Sequence, residues 1–130
     1  MYILGDIGNT ETKIWLVSQN NKIVKKIIFS TKELTNNKLF KIFKKKKFKF
    51  EYIKKILFCS VVPQSFNLIK KFLSKKTDIK CHEVKRLNLK SLIKVKVDYK
   101  QVGSDRITNA ISLMNGKNNF IILDFGTATT

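Results

Sequence analysis

The chain has 130 residues, 43% of them hydrophobic and ten of them Phe, enough apolar material for one core and one domain rather than two. Its formal net charge is +18, from 27 Lys and Arg against 9 Asp and Glu, a balance that raises nucleic acid, an anionic membrane or an acidic substrate as partners. Lys is interleaved with Ile, Phe and Asn along the whole chain, so we read the excess as compositional drift. The sequence carries no apolar run near the ~20 residues of a membrane span and no secretory h-region, with neither a membrane partner nor a specific nucleic acid expected.

In chain order, "YILGDIG", "TKIWLVS" and "KIVKKIIFS" read as three strands with short turns, an antiparallel meander. Residues 31–47 read as a helix with Leu34, Leu39, Ile42 and Phe43 on one side, capped by Ser30 or Thr31. "KKILFCSVV" is a short buried strand, and Pro63 opens the helix "PQSFNLIKKFLSKK". "DIKCHEV" is a further strand. In "GSDRITNAISLMNGK", Ile107, Ala110, Ile111 and Met114 have helical spacing, Ser104 is placed to cap and Gly116 to stop. "NNFIILDFG" reads as a last strand. A meander followed by alternating helices and strands predicts an α/β domain with a mixed sheet, in the order of an RNase H-like lobe.

Two cysteines cannot make a disulfide framework. Cys59 and Cys81 read as buried thiols of a reducing, cytoplasmic protein, and the lone His82 makes a metal site improbable.

Two stretches share one pattern. "ILGDIGNTETK" and "ILDFGTATT" each run an apolar strand into Asp, then x-Gly, then Thr-rich polar residues. Gly lets backbone N–H groups approach phosphate oxygens, and Thr hydroxyls add donors. The carboxylates of Asp6 and Asp124 would hold a cation rather than meet a triphosphate directly, while Lys13 supplies charge to it. Singly, each motif is as often a plain turn. Two facing turns of this kind would hold one nucleotide between two lobes.

The third element, "VGSDRITNAI", decides. With "DIGNTETK", "CSVVP" and "LDFGTATT", in that order, it resembles the type III pantothenate kinases of the acetate kinase, sugar kinase, Hsp70 and actin superfamily, across essentially the whole chain. The resemblance implies phosphorylation of pantothenate by ATP with Mg2+, the first step of coenzyme A synthesis. It implies a monovalent cation (K+ or NH4+) and a homodimer of two-lobed subunits. Carried across, Asp6, Ile7, Gly8, Asn9, Thr10, Glu11, Thr12 and Lys13 form the first ATP-binding hairpin. Gly103, Ser104, Asp105 and Arg106 fall on the pantothenate motif, with Asp105 as general base. Asp124 falls on the cation ligand and Thr127 on an ATP contact. An ionised carboxylate at a helix N-terminus suits proton acceptance from a primary hydroxyl, and a neighbouring Arg suits an anion.

Two features depart from the family. Lys96 stands where it often has a substrate-contacting Tyr, and Tyr99 where it often has Pro, so that role is not carried over. The family's second lobe, with its adenine pocket and a later substrate-contacting Thr, has no counterpart here. Residues 1–117 are therefore expected to be the N-terminal lobe and residues 118–130 the start of a second, the whole an N-terminal portion inactive alone. The alternatives are an RNase H-like nuclease using Asp6 and Asp124, nucleic-acid binding through "IFKKKKFKFEYIKK", or a regulatory relative without catalysis. In the second of these, Phe43, Phe48, Phe50 and Tyr52 more simply face the core.

Overall fold

A computed structural model describes residues 1–125. Five strands form one sheet: β1 (Tyr2–Ile7), β2 (Glu11–Val17), β3 (Ile23–Ser30), β4 (Lys55–Ser60) and β5 (Cys81–Glu83). Three helices accompany them: α1 (Asn36–Lys45), α2 (Pro63–Leu73) and α3 (Ser104–Leu113). The strand order is β3-β2-β1-β4-β5. β1, β2 and β3 run antiparallel, whereas β4 pairs parallel to β1 and β5 parallel to β4. This mixed sheet, with the first strand at its centre, is the RNase H-like arrangement expected from the order of elements.

Period-two alternation decides the two faces. Ile3, Ile7, Ile14, Ile27, Phe29, Ile56 and Phe58 point to one face, where Leu39 and Phe43 of α1 and Phe66, Ile69, Phe72 and Leu73 of α2 close the main core. Phe58 and Phe66 are essentially inaccessible, each burial contributing about 1.5–3 kcal/mol before entropy. Gly5 is opposite Phe58 in the β1–β4 ladder, and a Cβ on Gly5 would lie 2.0 Å from Phe58 Cε1. The ring occupies the space a side chain would take. On the other face, Leu57 and Cys59 of β4 pack with Ile107 and Ile111 of α3, Val84 and Leu89. The sheet thus separates α1 and α2 from α3.

Three expectations are corrected. The first helix begins at Asn36 rather than near residue 31, capped by Thr35, whose hydroxyl accepts from the Lys38 amide. Thr31 is instead drawn into the core, 2.8 Å from the Thr12 hydroxyl. In α3, Gly103 is the N-cap and Ser104 lies inside the helix, which ends at Met114 in extended backbone before Gly116 turns at φ 69°. Residues 119–124 form no strand, and Phe125 makes only an isolated bridge. Ile121, Leu123 and Phe125 are exposed, because an apolar run becomes a strand only where a neighbour offers a ladder. The aromatics of the basic segment behave as a core explains: Phe43 stacks edge-on with Phe48 at 4.8 Å and lies 5.7 Å from Phe50, while Tyr52 alone of the four stays exposed.

Candidate active site

The face of the sheet that α3 covers only in part holds the acidic residues. Asp6, near the end of β1, has Lys13 opposite it on β2 and Cys59 opposite it on β4. All three therefore project from one row. Asp105, at the second position of α3, comes down on the same side. Beside Asp6, Cys59 and Asp105 lies a cavity of about 360 Å³, lined also by Leu4, Gly5, Trp15, Leu57, Val84, Thr108, Asn109 and Asp124 but not by Lys13. Three carboxylates distant in sequence thus meet one space, from β1, from α3 and from the segment after α3.

Each acid is oriented by a neighbour. The Cys59 thiol donates to Asp6 Oδ1 at 3.4 Å. Burial first, then the negative charge of Asp6, pushes this thiol up to about 12, so it remains a neutral donor. Asn109 Nδ2 donates to Asp124 Oδ2 at 3.1 Å. Asp105 Oδ1 accepts from the Arg106 amide at 2.8 Å, and Gly103 leaves it room, since a Cβ there would approach Oδ1 to 2.3 Å.

The first hairpin turns tightly. The Gly8 amide donates to Glu11 O at 3.0 Å, and the Thr31 amide donates to Thr10 O at 2.9 Å. Asn9, Thr10 and Glu11 are exposed at the tip, and Lys13 makes no ion pair among the described residues. Ile7 and Thr12 belong to the opposite, helix-covered face and are fully buried. The Thr12 hydroxyl is taken by Thr31, so the expectation that this side chain meets a phosphate gives way to a core role.

The pantothenate-like segment also divides. Asp105 reaches the acidic cavity. Ser104 is buried and donates its hydroxyl to Glu83 Oε1. Arg106 is exposed and lines none of these cavities, because consecutive helical residues point about 100° apart. Gly103 and Ser104 line a neighbouring cavity of about 360 Å³ with Lys85, Arg86 and Lys100. Tyr99 is turned away from the acids, its hydroxyl donating to Lys85 O at 3.2 Å, and Lys96 is exposed. Thr127, with the rest of the second turn from Gly126, lies outside the described residues.

Sequence reasoning missed Asn109, Thr108, Trp15 and Cys59 as lining residues. A signal existed for Asn109, which falls one helical turn after Asp105 on the same face. Cys59 was visible only as an apolar-run cysteine, since its pairing with Asp6 is a tertiary fact. Among the described residues no three His, Cys, Asp or Glu side chains converge to cage a metal ion. Asp6 and Asp124 nonetheless offer hard oxygen donors to one cavity, which suits a cation completed by phosphate oxygens and water rather than an all-protein cage. No helix among the described residues is long and apolar enough to cross a membrane. Cys59 and Cys81 are both free thiols.

Comparison with known proteins gives a consistent set of matches. The family model described as type III pantothenate kinase matches residues 2–130. A type III pantothenate kinase of Pelagibacter ubique is 58% identical over 130 residues, covering 100% of this chain and 52% of that protein. Type III pantothenate kinases of Desulforapulum autotrophicum and Syntrophus aciditrophicus are 31% and 28% identical over 136 residues, again covering the whole chain and 52% and 53% of those proteins. The chain thus spans about half the length of the curated relatives it matches.

Proposed function

The chain belongs to the type III pantothenate kinase family, and on that footing we propose that the full-length protein transfers the γ-phosphoryl group of ATP to the primary hydroxyl of pantothenate, opening coenzyme A synthesis. The observation that carries this reading is the shared cavity of Asp6, Asp105 and Asp124. Phosphoryl transfer asks a protein mainly for positioning and charge, with one base near the acceptor hydroxyl. Asp105 is the base in this reading. Its place in the first turn of α3 sets its carboxylate at the cavity, where an acceptor hydroxyl would meet it.

Asp6 and Lys13, facing each other across the β1–β2 ladder, serve the phosphate end together with the exposed tip residues Asn9, Thr10 and Glu11 and the backbone of Gly8. A magnesium ion would be held by Asp6 with the phosphates, and a monovalent cation by Asp124. Such ions supply charge neutralisation to the triphosphate. Thr127 is assigned to ATP on family grounds alone. Pantothenate also bears a carboxylate, and the basic lining of the neighbouring cavity, Arg86 and Lys100 beside Gly103, suits such a group. Residues 118–130 would begin a second lobe that meets the adenine. A homodimer in the cytoplasm is the matching assembly and location.

The test is pantothenate-dependent ADP release by the full-length protein, with magnesium and potassium present. Turnover on the order of 1 per second or faster is expected of a kinase. ADP release that does not depend on pantothenate contradicts the reading. So does cleavage of nucleic acid under the same conditions, which favours the nuclease alternative.

A further inference from the structure

We infer that Ser104 and Glu83 are positioning residues for Asp105, the hydroxyl–carboxylate bond between α3 and the end of β5 setting how far the Asp105 carboxylate reaches into the cavity. The inference rests on the reading of Asp105 as the proton acceptor. Glu83 is 8% exposed and Ser104 2%. A buried carboxylate is costly unless hydrogen-bonded, and the Ser104 hydroxyl donates to Glu83 Oε1. The N-cap of α3 is Gly103, which has no side chain to cap the helix. The Ser104–Glu83 bond therefore ties the first residue of α3 to the end of β5.

The bond is one of several between the same two segments. Lys85 Nζ donates to Lys100 O at 2.9 Å and to Val102 O at 2.6 Å, and Tyr99 Oη donates to Lys85 O at 3.2 Å. Residues 83–85 thus hold residues 99–104 at successive points, and Asp105 is the next residue in the chain. Its carboxylate is confined between the Arg106 amide and the space Gly103 leaves vacant. Loss of the Ser104 hydroxyl frees the start of α3 while leaving the hairpin at Asp6 untouched. Displacement of a reacting group by ~1 Å costs up to about 100-fold in rate, so the effect belongs in turnover and not in nucleotide binding.

The test compares Ser104→Ala and Ser104→Thr in the full-length protein by kcat, by KM for ATP and by amide hydrogen exchange at Arg106 and Ile107. Ser104→Ala is expected to lower kcat by about tenfold or more with KM for ATP within about twofold, and to speed exchange at those amides about tenfold. Ser104→Thr, which keeps the hydroxyl, is expected to restore both. An unchanged kcat overturns the inference, as does a loss of ATP affinity equal to the loss of turnover. If the wild-type protein does not phosphorylate pantothenate, the functional reading fails on its own, and exchange decides the positioning. Acceleration in Ser104→Ala with recovery in Ser104→Thr then supports the link, and unchanged exchange overturns it. If Ser104→Ala does not fold, Glu83→Leu serves, since it removes the acceptor and leaves α3 unaltered. It is expected to lower kcat by about tenfold or more and to speed exchange at Arg106 and Ile107, and unchanged kcat and exchange overturn the inference.

Discussion

Asn109 on α3 donates a hydrogen bond to Asp124 at 3.1 Å, and through it the helix that carries Asp105 also holds a second acid of the same cavity. α3 is therefore the hub of the cavity. It presents Asp105, Thr108 and Asn109 to one space, draws in Asp124, and rests on Leu57 and Cys59 beside the strand that bears Asp6. The consequences can be tested at the sheet, in the core, at the thiol and at the base.

At the sheet, Gly5→Ala is expected to destabilise the fold. The added Cβ would lie 2.0 Å from Phe58 Cε1, and overpacking of this kind costs about 1–3 kcal/mol. Urea unfolding measures it. The double variant Gly5→Ala/Phe58→Leu is expected to lose less than the sum of the single changes, because the smaller side chain vacates the contested space. Strict additivity contradicts the packing account.

In the core, Thr12→Val is expected to cost stability and spare nucleotide binding. It leaves the Thr31 hydroxyl, 2.8 Å away in the wild type, without its partner, a penalty of about 1–3 kcal/mol. Thr12→Val/Thr31→Val is expected to recover most of the loss. A fall in ATP affinity with stability unchanged would return Thr12 to the phosphate site.

The buried Thr12–Thr31 contact marks where legibility in the sequence ends. The meander, the Pro63 helix start and the helix around Ile107 were readable because each rests on local periodicity or a local stop signal. Asp6 and Asp124 were readable as candidates from the repeated Asp-x-Gly turns, whereas Asp105 stood out only through the family resemblance of "VGSDRITNAI", its helix-start position alone being compatible with a plain cap. A family motif treats residues 6–13 of the first hairpin as one continuous string, whereas alternation puts Asp6 and Lys13 on one face and Ile7 and Thr12 on the other. Arg106 shares the family's pantothenate motif with Asp105, and helical geometry points the two side chains about 100° apart. The α1 start was misplaced because Thr31 and Thr35 are equal caps by type, and only the buried contact with Thr12 separates them. The strand expected at 119–125 failed for a non-local reason: pairing needs a neighbour that no local pattern reveals.

At the thiol, Cys59 is expected to resist alkylation. Burial and the adjacent Asp6 carboxylate raise it to about 12, and burial raises Cys81 to about 11. Both folded values exceed the unfolded one near ~8.5. Their stabilising contribution is thus fully present below the unfolded value and is lost as pH rises through the folded values. At pH 8 the rate of iodoacetamide labelling at Cys59, read by peptide mass mapping, is expected to be at least about 100-fold slower than in urea, since the thiolate is the reactive form. Rapid labelling of the folded protein at pH 8 contradicts the assigned environment.

The central claim is that Asp105 accepts the proton as the γ-phosphoryl group moves, and Asp105→Asn in the full-length protein tests it most directly. The substitution keeps the shape that Gly103 accommodates and removes the basic oxygen. Turnover of pantothenate and ATP is measured beside ATP affinity by calorimetry. The account predicts a loss of at least about 100-fold in kcat, with the ATP dissociation constant within about threefold of wild type. Turnover retained within about tenfold of wild type would contradict it.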